Sequence, residues 1–187
     1  MIHTTRELTS GINMRYILVA IAAVLLTWLL HEFAHWLCGE LLGNEMGMTF
    51  NSSYPRQEAY KKPWHATLIS SAGPLLTLMQ AIVFYRLLKK AGTYLLFPFL
   101  FTPFYMRLLA GVMNLINLND EGRVSNDLGL GTYTLPVIIA GILFYFVYDI
   151  IKARKFGAKF IVGNILLTML LSSIIIIADQ AGKLVIL

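Results

Sequence analysis

Charge is scarce in this sequence. Asp, Glu, Lys and Arg make up 13% of its 187 residues, against about a quarter in an ordinary soluble domain. That scarcity excludes a disordered chain and a nucleic-acid-binding tail, and it argues against a water-soluble globule. Repeats, heptads and low-complexity segments are missing as well, so collagen-like and coiled-coil classes fall away. Cysteine is nearly absent: the single Cys38 cannot form an intrachain disulfide, so oxidative cross-links play no part in holding the chain together. What fills the sequence is apolar. Hydrophobic residues account for 57% and the mean hydropathy is +0.68, which makes the bilayer the natural solvent. The net charge of +5 comes from Lys and Arg scattered singly and in pairs, the pattern of membrane-flanking charge rather than of a nucleic-acid surface.

Five apolar stretches reach the roughly 20 residues needed to cross a hydrocarbon core. They predict helices over residues 16–42, 64–88, 93–118, 132–151 and 160–177. Polar breaks separate them: Arg56, Lys61 and Lys62; Lys89 and Lys90; Asp120, Glu121, Arg123 and Asp127; Lys152, Arg154 and Lys155. The first stretch runs past signal-peptide length without a small-residue cleavage site and reads as a retained helix. The longest loop, about Gly43 to Pro63, has no room for a folded extramembrane domain, and Gly47 to Ser53 within it suits a short strand or hairpin at the membrane surface. The expected class is therefore an all-α integral membrane protein: a single embedded multi-pass domain over residues 1–187. Arg6, Arg15, Arg86, Lys89, Lys90, Lys152, Arg154, Lys155 and Lys159 gather on the N-terminal side. Arg56, Lys61, Lys62, Arg123 and Lys183 fall on the other, and the larger group favours the N-terminal side as cytoplasmic. Arg107 is left inside a span.

Within the first span lies His31-Glu32-Phe33-Ala34-His35, an HExxH pattern. One turn of helix brings both imidazoles to the same face, about 6 Å apart along the axis. Glu32 projects from the flank of that face, where a carboxylate can take a proton from metal-activated water without being a ligand. A chance match in a chain of this composition is expected roughly 0.002 times. Three ionisable groups in five residues of a membrane helix, each costing about 2.5–3.5 kcal/mol near the centre, require a common compensating partner. A divalent cation supplies one, and two imidazoles plus a carboxylate with an open position suit zinc.

The third ligand has to come from elsewhere. Glu40 faces away from the histidines, Cys38 packs as a small apolar residue, and His65 reads as an interface anchor. Helices one and three run in the same direction, so the end of the third span returns to the depth of His31 and His35. It carries Asp120, with Asp127 and Glu121 as alternatives. The second span runs the opposite way and brings Ser70-Ser71-Ala72-Gly73-Pro74 to the same level, where small residues permit close helix approach and a proline frees backbone groups. Gln80 and Asn164 read as interhelical hydrogen-bond partners. Arg107 reads as half of an internal ion pair or as a substrate contact, and Pro98 and Pro103 as a kink in the third helix.

In these pieces the sequence resembles the site-2 protease family of intramembrane zinc metalloproteases. The matching elements are His31-Glu32-Phe33-Ala34-His35, then Ala72-Gly73-Pro74, then Asn114-Leu115-Ile116 followed by Asp120-Glu121-Gly122-Arg123, in the family's order over residues 31–123. The resemblance implies a three-helix metalloprotease core followed by two C-terminal helices. It implies one catalytic zinc held by His31, His35 and Asp120, with Glu32 as base and Asn114 positioning the substrate backbone. It also implies that the HExxH end faces the cytosol, opposite to the charge count. The chain departs from the family pattern where Asn117 replaces a proline, Glu121 separates Asp120 from Gly122, and Thr77 stands in place of an asparagine. The expected activity is hydrolysis of peptide bonds in or near transmembrane segments of protein substrates, with Asn114 or Asn117 holding the unwound strand. The competing readings are a membrane metal-binding or transport protein and a catalytically inactive scaffold that binds helices.

Overall fold

The computed structural model describes residues 11–90, 93–182 and 185–187; Arg6 and Lys183, used in the charge count, lie outside them. Helix α1 (Met14–Leu41) opens with the Asn13 side chain accepting the Tyr16 N–H at 2.9 Å, which satisfies one of the first-turn donors. It ends where Gly43 turns left-handed at φ +77°. The Asn44 N–H then reaches back to the Gly39 carbonyl and the Gly43 N–H to that of Glu40, closing the helix in a Schellman cap. Strands β1 (Met46–Met48) and β2 (Ser53–Pro55) form an antiparallel hairpin with Gly47 opposite Tyr54, where the sequence had suggested one.

Helix α2 (Pro63–Lys90) begins on a proline, which needs no donor there. A single 3-10 turn at Tyr94–Leu96 leads into α3 (Phe97–Met113). The short helix α4 (Asp120–Asp127) follows, then α5 (Thr134–Arg154) and α6 (Ala158–Gly182). Five of these helices are long and apolar enough to cross a membrane, so the chain is an all-α, multi-pass membrane protein. Two sequence expectations need correction. The third span stops at Met113 instead of Leu118, and the polar break after it is itself a helix, α4. The reason is local: the Asn114 side chain accepts the Asn119 N–H at 2.6 Å and the Asn119 amide donates to the Ala110 carbonyl at 3.1 Å. The Asn114 side chain thus takes an N–H that a continuing helix would pair with a backbone carbonyl.

Side-chain pairings fix the directions. Thr27 meets Gln80 and His35 meets the Ile69 carbonyl, so α1 and α2 are antiparallel. Tyr16 stacks on Tyr94 at one end, while Arg107 approaches His31 towards the other, so α1 and α3 are parallel. Asp149 binds Lys89 and Tyr85 at the end away from the histidines. The main core fills that end, with Tyr16, Ala20, Ala81, Leu88, Phe97, Leu100, Leu143, Ile150 and Phe160 buried. Gln80 bridges α1 and α3 through Thr27 at 2.8 Å and the Phe99 carbonyl at 2.9 Å, and Asn164 accepts the Tyr16 hydroxyl at 2.6 Å. Both are the interhelical partners their positions suggested. With the core packed at one end, the polar groups of α1, α2 and α3 are left to face one another at the other.

Candidate metal centre

His31 and His35 occupy successive turns of α1 and are 4% and 6% exposed. Their Nε2 atoms stand 3.2 Å apart, and each lies 3.2 Å from Asp120 Oδ2. These three residues form a group that could hold a metal ion. The proton on His35 can be placed by chemistry. Its Nδ1 lies 2.5 Å from the Ile69 carbonyl oxygen, which can only accept, so Nδ1 carries the hydrogen and the Nε2 lone pair faces the group. An anionic oxygen and an imidazole lone pair 3.2 Å apart need a positive centre between them. A proton on one imidazole serves two of the three atoms, and a divalent cation serves all three.

Backbone architecture delivers each part. Gly73 of α2 lies against both imidazoles: a Cβ built there would stand 2.4 Å from His31 Cε1 and 2.4 Å from His35 Nε2. Only a residue without a side chain fits that approach. The next residue, Pro74, has no N–H and leaves the Ser70 carbonyl without its helical donor. Asp120 arrives at the first position of α4, aimed by the Asn114–Asn119 bond described above. Gly122 closes on the same asparagine, since a Cβ there would meet Asn114 Oδ1 at 2.5 Å.

The other candidates are engaged elsewhere. Glu121 accepts Arg107 Nη1 at 2.7 Å, which makes Arg107 half of an internal ion pair. Asp127 accepts the Thr67 hydroxyl at 2.6 Å. Glu40 accepts the Met46 N–H at 2.8 Å and so ties the hairpin to α1. His65 is buried against Asn44 at 3.1 Å, and Cys38 is partly buried. Asn114 is buried and bonded into the turn, whereas Asn117 lines the cavity in front of the histidines.

That cavity measures about 430 Å³ and is also bordered by Glu32, Ser53, Tyr60, Arg107 and Arg123. The Ser53 hydroxyl donates to the Glu32 backbone carbonyl at 2.8 Å, so β2 lies against the motif helix. Asp179 of α6 accepts from the Phe50 N–H and the Thr49 hydroxyl at 3.1 and 3.0 Å, fixing the hairpin tip from the far side. Burial raises the Tyr60 phenol above its ordinary value, leaving it a neutral hydroxyl on the cavity wall. Sequence reasoning did not single out Tyr60 or Ser53. Both sit in a loop of mixed polarity, and only the folding-back of the hairpin brings them to the site. The chain matches no family model, no curated protein and no solved structure.

Proposed function

We propose that the chain is an intramembrane zinc metalloprotease that hydrolyses peptide bonds in or near transmembrane segments, as its resemblance to the site-2 protease family implies. The observation that carries this reading is the convergence of His31, His35 and Asp120 at 3.2 Å, with Glu32 lining the cavity they share. The donor set suits zinc on two counts. Tetrahedral bonds of about 2.0–2.1 Å hold ligand atoms about 3.3 Å apart, close to the spacing of these three. Two imidazoles with one carboxylate also leave a fourth position for water or substrate.

Bound there, zinc would supply a Lewis acid that polarises a carbonyl and makes water more acidic. The chain's own groups do the rest. His35, with Nδ1 fixed on the Ile69 carbonyl, holds its ring in the orientation the site requires. Glu32 accepts a proton from water at a carboxylate oxygen as the water oxygen bonds to the carbonyl carbon. When the C–N bond breaks, Glu32 returns that proton to the amine nitrogen, so the carboxylate ends as it began. Asn117, on the cavity wall, offers an amide to the backbone of a substrate strand. That strand has to leave its helix first, because helical carbonyls in lipid are already paired.

Metal analysis and proteolysis test the reading together. Wild type and Glu32→Gln, purified in lipid nanodiscs, should each carry zinc near one ion per chain, while His35→Ala and Asp120→Ala should lose it. A panel of labelled single-span polypeptides with a central Gly-Pro break should be cleaved by wild type and not by Glu32→Gln. Equal cleavage by the two proteins would remove Glu32 from the chemistry. Zinc without any cleavage would favour a metal-handling protein.

A further inference from the structure

Arg107 is a cation buried beside the candidate metal centre. Its residue is 4% exposed on α3, and a guanidinium held inside a membrane protein requires compensation. Glu121 provides that charge at 2.7 Å, with both side chains 4% exposed. An ion pair serving packing alone would have no reason to stand at the candidate metal centre. Yet Arg107 Nη2 lies 3.4 Å from His31 Nε2, its side chain borders the cavity, and its Nε is buried without a partner among the described residues. Glu121 occupies only one nitrogen of a fork that carries five donors.

Once His31 Nε2 is committed to a cation, it can no longer accept from Arg107. The Nη2 donors beside it then require another acceptor at the same place in the cavity. Hydrolysis brings one: the carbonyl oxygen of the peptide being cut, which gains negative charge as water attacks. We propose that Arg107 is a catalytic residue whose Nη2 donates a hydrogen bond to that oxygen, with Glu121 as the positioning residue that holds the guanidinium in place. The inference rests on the hydrolase reading and assigns it an electrostatic partner. During attack the C=O electron pair moves onto the oxygen, where Arg107 meets it. On collapse the C=O bond re-forms, the C–N bond breaks and Glu32 supplies the amine with its proton. Arg107 stays protonated throughout. Fixed donors aimed at developing charge in a water-poor site are the strongest contribution a side chain makes to such a step, and a charged donor is better than a neutral one.

The test replaces the whole pair. Arg107→Met combined with Glu121→Met exchanges a buried ion pair for apolar side chains, a swap that buried pairs often tolerate or improve upon. Wild-type zinc content and KM for the same labelled single-span panel are expected in the double variant, with kcat down by about 10²–10³-fold. Arg107→Lys keeps the charge and the Glu121 contact but loses the fork, and its kcat is expected to fall at least tenfold. Adding methylguanidine to Arg107→Ala should recover part of the lost rate, which a purely structural role would not produce. Wild-type kcat in the double variant, or in Arg107→Lys should the double variant not fold, overturns the inference and leaves the protease reading standing. Loss of zinc in a folded double variant also overturns it, because the pair would then serve the metal rather than the substrate. A wild type that cleaves no more than Glu32→Gln overturns both.

Discussion

Gly73 shows how one hydrogen atom in place of a side chain sets the geometry of the site. A methyl group at this position would sit 2.4 Å from atoms of both imidazoles, and the His35 ring is held in place by the Ile69 carbonyl at 2.5 Å. Alanine is the better helix former by about 1 kcal/mol, so Gly73→Ala should stabilise α2 taken alone while forcing the rings apart. The expected result is a folded protein whose zinc affinity falls at least as far as the loss of a supporting group, about 10–100-fold, read by competition with a chromogenic chelator. Gly141 of α5 gives the contrast, with nothing within 4 Å of its built Cβ among the described residues. Gly141→Ala should keep zinc unchanged and lose nothing in melting temperature. At this scale the sequence carried much of the site. HExxH spacing is fixed by the helix repeat, so His31, Glu32 and His35 could be named from one segment. The choice among Asp120, Glu121 and Asp127 could not be made that way, because it depends on Arg107 and Thr67 engaging the latter two, and neither contact is local.

Among the elements, the turn between α3 and α4 determines whether a carboxylate reaches the histidines. Asn114 stands at its start, and its side-chain oxygen holds the Asn119 N–H at 2.6 Å, one residue before Asp120. Removing that acceptor leaves a backbone donor in a partly buried turn, at a cost of about 1–3 kcal/mol. Asn114→Ala should therefore weaken zinc binding by about 10–100-fold, the usual effect of losing a supporting contact behind a ligand. Asn114→Asp keeps the acceptor and should retain most of the affinity. If Asn114→Ala instead leaves zinc titration unchanged and alters only KM, the residue acts on substrate and not on the turn. Hydropathy could not reveal this element. Leu115, Ile116 and Leu118 continue the apolar run of α3, so the pattern reads as span to Leu118, whereas the three residues are 74%, 76% and 44% exposed and the helix has already stopped. The five long helices, by contrast, are legible because lipid rewards uninterrupted apolar length and little else. The hairpin was legible from Gly47 to Ser53, but not its attachment to Glu32 and Asp179, which joins residues far apart in the chain.

Taken whole, the molecule has its main core at one end, and a smaller apolar cluster around Trp28 and Met106 beside the buried polar groups at the other. The aromatic and aliphatic core lies around Tyr16, Phe97 and Phe160, while α1, α2 and α4 meet near the histidines through a glycine approach and carboxylate contacts. A cation held by His31, His35 and Asp120 would therefore act as a cross-link between α1 and α4. It binds the folded chain only, so its binding energy adds to stability: about 2.7 kcal/mol when free zinc is a hundred times its dissociation constant. For a chain of this length that corresponds to about 5–10 °C in Tm. Chelation of the wild type in nanodiscs should lower Tm by that amount, and restored zinc should recover it. Asp120→Ala should start near the chelated value and show no further response to chelator. A wild type whose Tm ignores chelator would mean that no structural cation joins the two helices, and it would remove the metal from the account of how this end of the protein is held.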